Sequence, residues 1–411
     1  MEKDKFKILS LHINVLIFLQ FWPNPLFNNV VNNHIMSIVC FITVTSCIPC
    51  IWTIYKVIYI FTNIICYSIC IWFRSQVFEG MYDIGILFES FICFVNIMAY
   101  LTAYWTIFRN KAVIENLIND ICIFLPYCPT NLIRDTDASS IRYTKYLIVY
   151  VTLGVFVNLA WPAISPEGCM RQRQSEYLLK HDPCGMPTHN YYPFDASKPI
   201  PFWIAFACEA LLTCNICILF SMVTAIILGL LMQITEQIKH CCDKFEHINF
   251  KGDVETARKE FLECVRYHRA ILEYAERVFT VFAPVMSAYL VVTSFATALI
   301  GYQIVETDNT QDRFRYAMLL LAWGCLFFMI CLYAQILQDE SVLIADALYN
   351  SDWTCNSIYF RHYIIRVIAR AHKPLYFNIS FLGKISLTRF VSVMKTAYTV
   401  FTVLVTVVDR K

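Results

Sequence analysis

The sequence predicts an all-α membrane protein of seven transmembrane helices, with a cytoplasmic N-terminus, an extracellular C-terminus and a cytoplasmic helical anchor. Three observations predict it. Of 411 residues, 58% are hydrophobic and 16% charged, with a mean hydropathy of +0.53, well outside the soluble norm of about 45–50% apolar and about 25% charged. Seven apolar runs, at 37–73, 81–108, 146–164, 199–234, 276–304, 314–337 and 385–408, are long enough for a bilayer that needs about 17–25 helical residues. Lys and Arg outside these runs, with Arg389 and Arg315 at the run ends counted to their nearer sides, number 21 on one side and 9 on the other, and the positive-inside rule makes the richer side cytoplasmic.

The N-terminal segment 1–36 has no n-region, h-region and cleavage site in order, so the first span is expected to insert by itself. That span, at 37–73, is either one tilted helix kinked near Pro49 or two cramped spans meeting near Lys56. Six spans in 37–337 are read as one bundle. It carries an extracellular loop at 165–198 and cytoplasmic helix extensions at 235–275.

The loop 165–198 contains Pro166, Pro183, Pro187 and Pro193 with His181 and His189, and is expected to be an irregular lid. Its histidines are not read as a metal site. Of nineteen cysteines most lie in or beside apolar runs, where they behave as small hydrophobes. Cys169 and Cys184 share the polar loop, and an extracellular compartment permits a bridge between them.

In the segment 338–384, Phe360, Ile364, Val367, Ile368 and Ala371 fall on one helical face, with Arg361, Arg366 and Arg370 elsewhere. This pattern is too short and too charged to span. It reads as a cytoplasmic helix docked on other helices or a second subunit, the alternative being a helix on the membrane surface. The sequon Asn378-Ile379-Ser380 then lies on the cytoplasmic side and is expected to stay unmodified.

The last segment, 385–411, carries the strongest functional signal. Hydroxyl residues recur at Thr388, Ser392, Thr396, Thr399, Thr402 and Thr406, which marks one polar helical face over five turns. Packing and bonds to the i−4 carbonyl explain isolated hydroxyls, but an unbroken stripe suits a water-filled path between several such helices. In that reading Thr399, Thr402 and Thr406 line the pore and Val403 forms an apolar ring that closes it by dewetting. Lys395 lies in the same wedge and raises the barrier to cations.

Other classes lose support. A net charge of +2 offers no excess to neutralise a phosphate backbone, so nucleic acid is not an expected partner. There is no GxGxxG, GxxxxGK[ST] or HExxH sequence, so no enzyme activity and no cofactor is expected. A secondary transporter of a small apolar solute is the alternative, but the spans show no two-fold repetition with matched Gly/Pro breaks.

The C-terminal third resembles the insect odorant receptor family. The resemblance rests on Glu340-Ser341, Ala345, Tyr349, Trp353, Arg366, Arg370, Pro374, Ser386-Leu387, Phe390 and the stretch Ala397-Tyr398-Thr399-Val400-Phe401, with Thr in place of the family's Ser. Tyr192-Pro193-Phe194-Asp195 is similar to the family's second-loop motif. Without the co-receptor's long second cytoplasmic insertion, the chain resembles a ligand-tuning subunit. The resemblance implies a non-selective cation channel, opened by a small volatile and assembled as a heterotetramer with the odorant receptor co-receptor in the plasma membrane of a sensory neuron dendrite. It also implies that Val403 matches the family's gate and that Thr406 replaces a frequent Gln. The implied ligand site lies in the outer half of the bundle, among Phe88, Phe91, Ile92, Val155, Asn158, Trp161, Phe206, Ala210, Thr213, Tyr316, Leu319 and Trp323. Glu89 and Glu209 lie inside apolar runs, where ionisable groups are costly and usually functional.

Overall fold

The computed structural model describes residues 84–164, 180–181, 183–187, 192, 194–307, 310–353, 358–379 and 383–408. The expected first span at 37–73, with its choice of one helix or two, lies outside them. The described chain runs α1 (Ile84–Arg109), α2 (Lys111–Asp120), a 3-10 turn (Ile121–Phe124), α3 (Thr130–Ile164), α4 (Pro199–Glu246), α5 (Val254–Glu306), α6 (Thr310–Asn350), α7 (Ile358–Ala371), a two-stranded antiparallel hairpin of β1 (Asn378–Ile379) and β2 (Gly383–Lys384), and α8 (Leu387–Val408).

Five of these, α1, α3, α4, α5 and α6, are long and apolar enough to cross a membrane. Among the described residues the final helix α8 is not one of the five. Several helices outrun their apolar segments. At 53 residues α5 is roughly 80 Å long at 1.5 Å per residue, against a hydrocarbon core of about 30 Å. Its first turns and the last turns of α4 therefore stand outside the bilayer as a hairpin, where 235–275 was expected to extend. Local signals set the starts of both helices. Pro199 occupies the first turn of α4 after Lys198, where its missing N–H costs nothing. Asp253 caps α5, accepting from Thr256 N at 3.0 Å and Thr256 Oγ1 at 2.8 Å.

The centre of the bundle is α4, which packs on α1, α3, α5 and α6 and is buried without interruption from Leu219 to Leu231. A helix apolar all round has no solvent face to offer, so it takes the middle. In contrast, α3 exposes Tyr146, Val149, Leu153 and Phe156, a face suited to lipid.

Beyond the bundle, α7 docks on α6 with Ile364 and Ala371 buried. Phe360 meets Phe261 edge to face at 5.2 Å, while Arg361, Arg366 and Arg370 are exposed. The amphipathic pattern thus reports a docked helix. After it the chain turns back on Phe377, stacked on Phe279 at 4.8 Å, and through the hairpin to α8. Gly383 has φ +79°, so the backbone there favours glycine; a Cβ would meet only the movable end of the Arg389 side chain, at 2.6 Å.

A single hydroxyl ties the return segment to α6. Ser341 Oγ accepts from Leu375 N at 2.9 Å and donates to Gln338 O at 2.7 Å. Replacing Ser341 with alanine leaves that amide without its partner and is expected to cost about 1–3 kcal/mol, read as a lower thermal midpoint of the detergent-solubilised protein. An unchanged midpoint counts against the clasp.

His268 lies before the apolar run of α5 and is 6% exposed. Burial, and secondarily the Arg370 guanidinium, hold its pKa down to about 4 from 6.5. Between about pH 6.5 and pH 4 the unfolded chain takes up a proton that the folded one refuses, so stability falls as pH drops through this window. The contribution is about 3 kcal/mol at most. His268→Leu is expected to flatten that part of a melting-temperature profile, and a profile unchanged by the substitution overturns the assignment.

Candidate functional site

Two regions present organised chemistry. The first is a two-lobed cavity inside the bundle. One lobe, about 110 Å³, lies between α1, α4, α5 and α6 under Pro187 of the loop. The other, about 60 Å³, lies between α3, α4 and α6. They share Asn158, Thr213, Cys217, Arg315, Leu319 and Trp323, so one ligand can occupy both. For scale, an apolar cavity of about 150 Å³ holds benzene.

Of the residues expected here, Ile92, Val155, Asn158, Thr213, Tyr316, Leu319 and Trp323 line the lobes. The others do not form the wall. Phe91 turns to α5 and meets Phe295 edge to face at 5.6 Å. One residue along, Ile92 faces the cavity, because a helix rotates by about 100° per residue. Phe206 lies a turn above the lining of α4, stacked on Phe202 at 6.4 Å and edge-on to Trp203 at 5.7 Å. Ala210 is half-buried on the flank of the same face. Trp161 packs against Phe314 at 6.3 Å. The Phe88 and Glu89 side chains lie outside the described residues.

The cavity also contains groups that sequence reasoning missed or left open. Asn96, Gln303 and Arg315 line the first lobe with Glu209. Arg315, close to a loop, was grouped with the external charges, yet it is 6% exposed and its guanidinium sits 4.8 Å from the Tyr316 ring centre. Its spacing to Leu319 and Trp323 is i, i+4, i+8, so a common face was legible in the sequence. Glu209 is 6% exposed and accepts from the Tyr192 hydroxyl. Arg315 and Glu209 carry opposite formal charges in one wall, which leaves the cavity neutral and suits a neutral ligand with few polar atoms.

Tyr192 reaches Glu209 from the loop, which is itself held by short backbone bonds. Tyr192 N donates to His181 O and Ala196 N to Lys180 O, both at 2.7 Å, while His181 Nδ1 lies 2.8 Å from Tyr192 O. Cys184 is disulfide-bonded; Cys169, which the sequence allows as a partner, lies outside the described residues. The loop thus roofs the cavity. No group of three or more His, Cys, Asp or Glu is placed to hold a metal among the described residues.

The second region is α8. Its inner face buries Val393 and Ala397, and Phe390 packs on Phe327 at 6.0 Å and Phe328 at 5.3 Å. The Phe401 ring lies against Gly301 of α5. Thr388, Ser392, Lys395, Thr396, Thr399, Val403 and Thr406 are exposed and Thr402 is half-buried, so the stripe points away from the chain's own bundle. Thr399, Thr402 and Thr406 donate to the carbonyls of Lys395, Thr399 and Thr402 at 2.7–3.0 Å. With the hydroxyl proton turned back into the helix, each threonine presents outward an oxygen lone pair.

Comparison with known proteins accords with this architecture. A family model described as 7tm Odorant receptor matches residues 83–398. Putative odorant receptor 85d of Drosophila melanogaster is 27% identical over 146 residues, 35% of this chain and 35% of that protein. Odorant receptor 82a of the same organism is 21% identical over 220 residues, 53% of this chain and 57% of that one. The matches thus span about a third to just over half of these relatives' length. Among solved structures, the insect olfactory receptor OR5 from Machilis hrabei superposes with a TM-score of 0.74 at 18% identity, covering 97% of each chain. The same receptor in complex with eugenol gives 0.73, covering 98% of this chain and 100% of that one. At this identity the likeness shows the shared fold.

Proposed function

Because the chain belongs to the 7tm odorant receptor family, a family of multi-pass membrane receptors and not of enzymes, we propose that it is the ligand-tuning subunit of an odorant-gated, non-selective cation channel. The observation that carries the reading is the outward polar face of α8. A membrane helix that turns five hydroxyls and a lysine away from its own bundle needs an aqueous or protein partner on that side. A ring of such helices from several subunits supplies both. The outward threonine oxygens suit cations, and Val403 closes the path when its ring is dry. Lys395 is tolerated in a wide vestibule or beside carboxylates of other subunits.

A small, largely apolar volatile such as an ester, alcohol, aldehyde or terpenoid occupies the two lobes, its polar atom near Arg315, Asn96 or Gln303. Coupling to the pore is short. Ile300 borders the cavity, and the next residue, Gly301, faces the Phe401 ring of α8, which a Cβ added there would meet at 3.6 Å. A ligand that favours one position of α5 and α6 over another shifts α8 through its differential affinity. In this reading 37–337 is the ligand-binding bundle, 338–384 the cytoplasmic anchor and 385–411 the pore segment. The partner is the odorant receptor co-receptor, and the site of action is the plasma membrane of a sensory dendrite.

The test is electrical. Cells expressing the chain with the co-receptor are expected to pass odour-evoked cation current across an odour panel, and cells with either chain alone to lack the tuned response. Engineered cysteines at positions 399, 402 and 406 are expected to react with aqueous thiol reagents during odour application. Uptake of a solute without macroscopic current would favour the transporter, and shielded cysteines at rest and under stimulation would remove α8 from the pore.

A further inference from the structure

We propose that the basic end of the α3–α4–α6 face binds an anionic glycerophospholipid, with one acyl chain in an apolar groove and the phosphate at Arg142. The groove, about 220 Å³, lies between Thr144 and Leu147 of α3, Leu228 of α4 and Leu326 and Met329 of α6. It runs into a second, polar pocket of about 560 Å³ that contains Arg142, Lys239 and Glu236. Tyr143, Tyr146 and Met232 border both, so the two are continuous.

Three observations make the occupant a lipid. First, the groove opens beside the exposed apolar face of α3, made of Tyr146, Val149, Leu153 and Phe156. In a spanning helix that face meets acyl chains. Second, the polar end is built for an anion. Lys239 is paired with Glu236 at 2.9 Å, but Arg142 is exposed and makes no ion pair among the described residues. Exposed Lys145 follows one turn later, and the exposed rings of Tyr143 and Tyr146 have the amphipathic character of a membrane-interface belt. Third, Ser140 Oγ is buried in the groove wall, on a residue 2% exposed, without a hydrogen-bond partner. A buried hydroxyl left unpaired is costly. The ester carbonyl of a glycerol backbone, lying between phosphate and acyl chain, accepts from it.

The charge bias of the chain puts this end on the cytoplasmic leaflet, where anionic lipids concentrate. Leu326 borders both this groove and the inner lobe of the central cavity, so a lipid here also props one wall of that cavity. The inference does not depend on odour gating.

The test uses the full-length chain reconstituted in phosphatidylcholine bilayers doped with phosphatidylserine, released gently and weighed intact to count the lipids retained. Phosphatidylserine is expected to be retained over phosphatidylcholine. Arg142→Gln, at an exposed position that leaves the fold alone, is expected to reduce that preference about fivefold. Ser140→Phe, which fills the groove, is expected to remove both lipids, with monodisperse elution in detergent as the control for folding. Soluble glycerophosphoserine is expected not to displace the lipid. Equal retention of both lipids by the parent and Arg142→Gln overturns the proposal. So does displacement by the soluble headgroup, which would mark a site for free anions, and so does a photo-crosslinker at position 146 that captures a second protein chain in place of lipid.

Discussion

Replacing Val403 with serine is expected to leave the assembled channel conducting in the absence of odorant. Val403 is 55% exposed on the outward face of α8, between the turn of Thr399 and Thr402 and that of Thr406. A ring of valines at this height repels water, and a pathway that dries at one ring blocks ions without a steric plug. Serine puts a hydroxyl at each position that this chain contributes to the ring and lets water wet it there. Resting current, measured by whole-cell patch clamp with the co-receptor present, is expected to rise severalfold, and the odour-evoked increment to shrink in proportion. Val403→Ile, which stays apolar, is expected to keep the resting state closed. Equal resting currents in the serine variant and the parent, at equal surface delivery, would remove Val403 from the gate.

Trp323→Ala is expected to have the second largest effect, on both stability and tuning. Trp323 borders both lobes of the cavity and stands edge to face with Phe220 at 5.1 Å and with Tyr289 at 6.3 Å. Tyr289 in turn donates to Phe220 O at 2.8 Å and shares a hydrogen bond with Thr224, so three helices meet at this indole. Truncating a buried Trp costs about 3–5 kcal/mol, a loss that a thermal melt in detergent reads directly. The vacated space joins the lobes more widely. Small ligands lose contacts and are expected to need at least tenfold higher concentration, while bulkier homologues gain access. A dose–response series of increasing ligand size checks the direction, and a parallel loss across all sizes would make Trp323 a structural support alone.

Much of this molecule is legible along the chain. Apolar run length located α1 and α3–α6, because a bilayer sets a minimum span that only such runs meet. The 3.6-residue period exposed the docked face of α7 and the hydroxyl stripe of α8, because those features belong to single helices. The helix ends were less legible. α3 begins at Thr130, well before the apolar run at 146, because its polar first turns pack on α4, where Gln233 Nε2 donates to Ile133 O at 3.0 Å, a contact on which hydropathy has nothing to report. Arg277, placed by hydropathy within a span, instead bonds Asp120 at 2.6 Å, which ties the end of α2 to α5.

The candidate cavity was half legible. The aromatic and aliphatic wall followed from composition and position, but its polar members did not. Glu209 was visible only as a costly charge in an apolar run. Its partner Tyr192 is 17 residues away, in a loop with no period to read.

By itself, then, the sequence determined the membrane class, the helices and the two amphipathic faces, since these depend on composition and on neighbours within a few residues. Tertiary packing alone decided which side chains meet. It turned Ile92 inward and Phe91 aside, brought Asn96, Glu209, Gln303 and Arg315 into one wall from four helices, and hung the loop from Glu209. The rotation of each helix about its axis is set by contacts with partners far away in the chain, and one residue of phase, about 100°, separates a cavity wall from a helix seam.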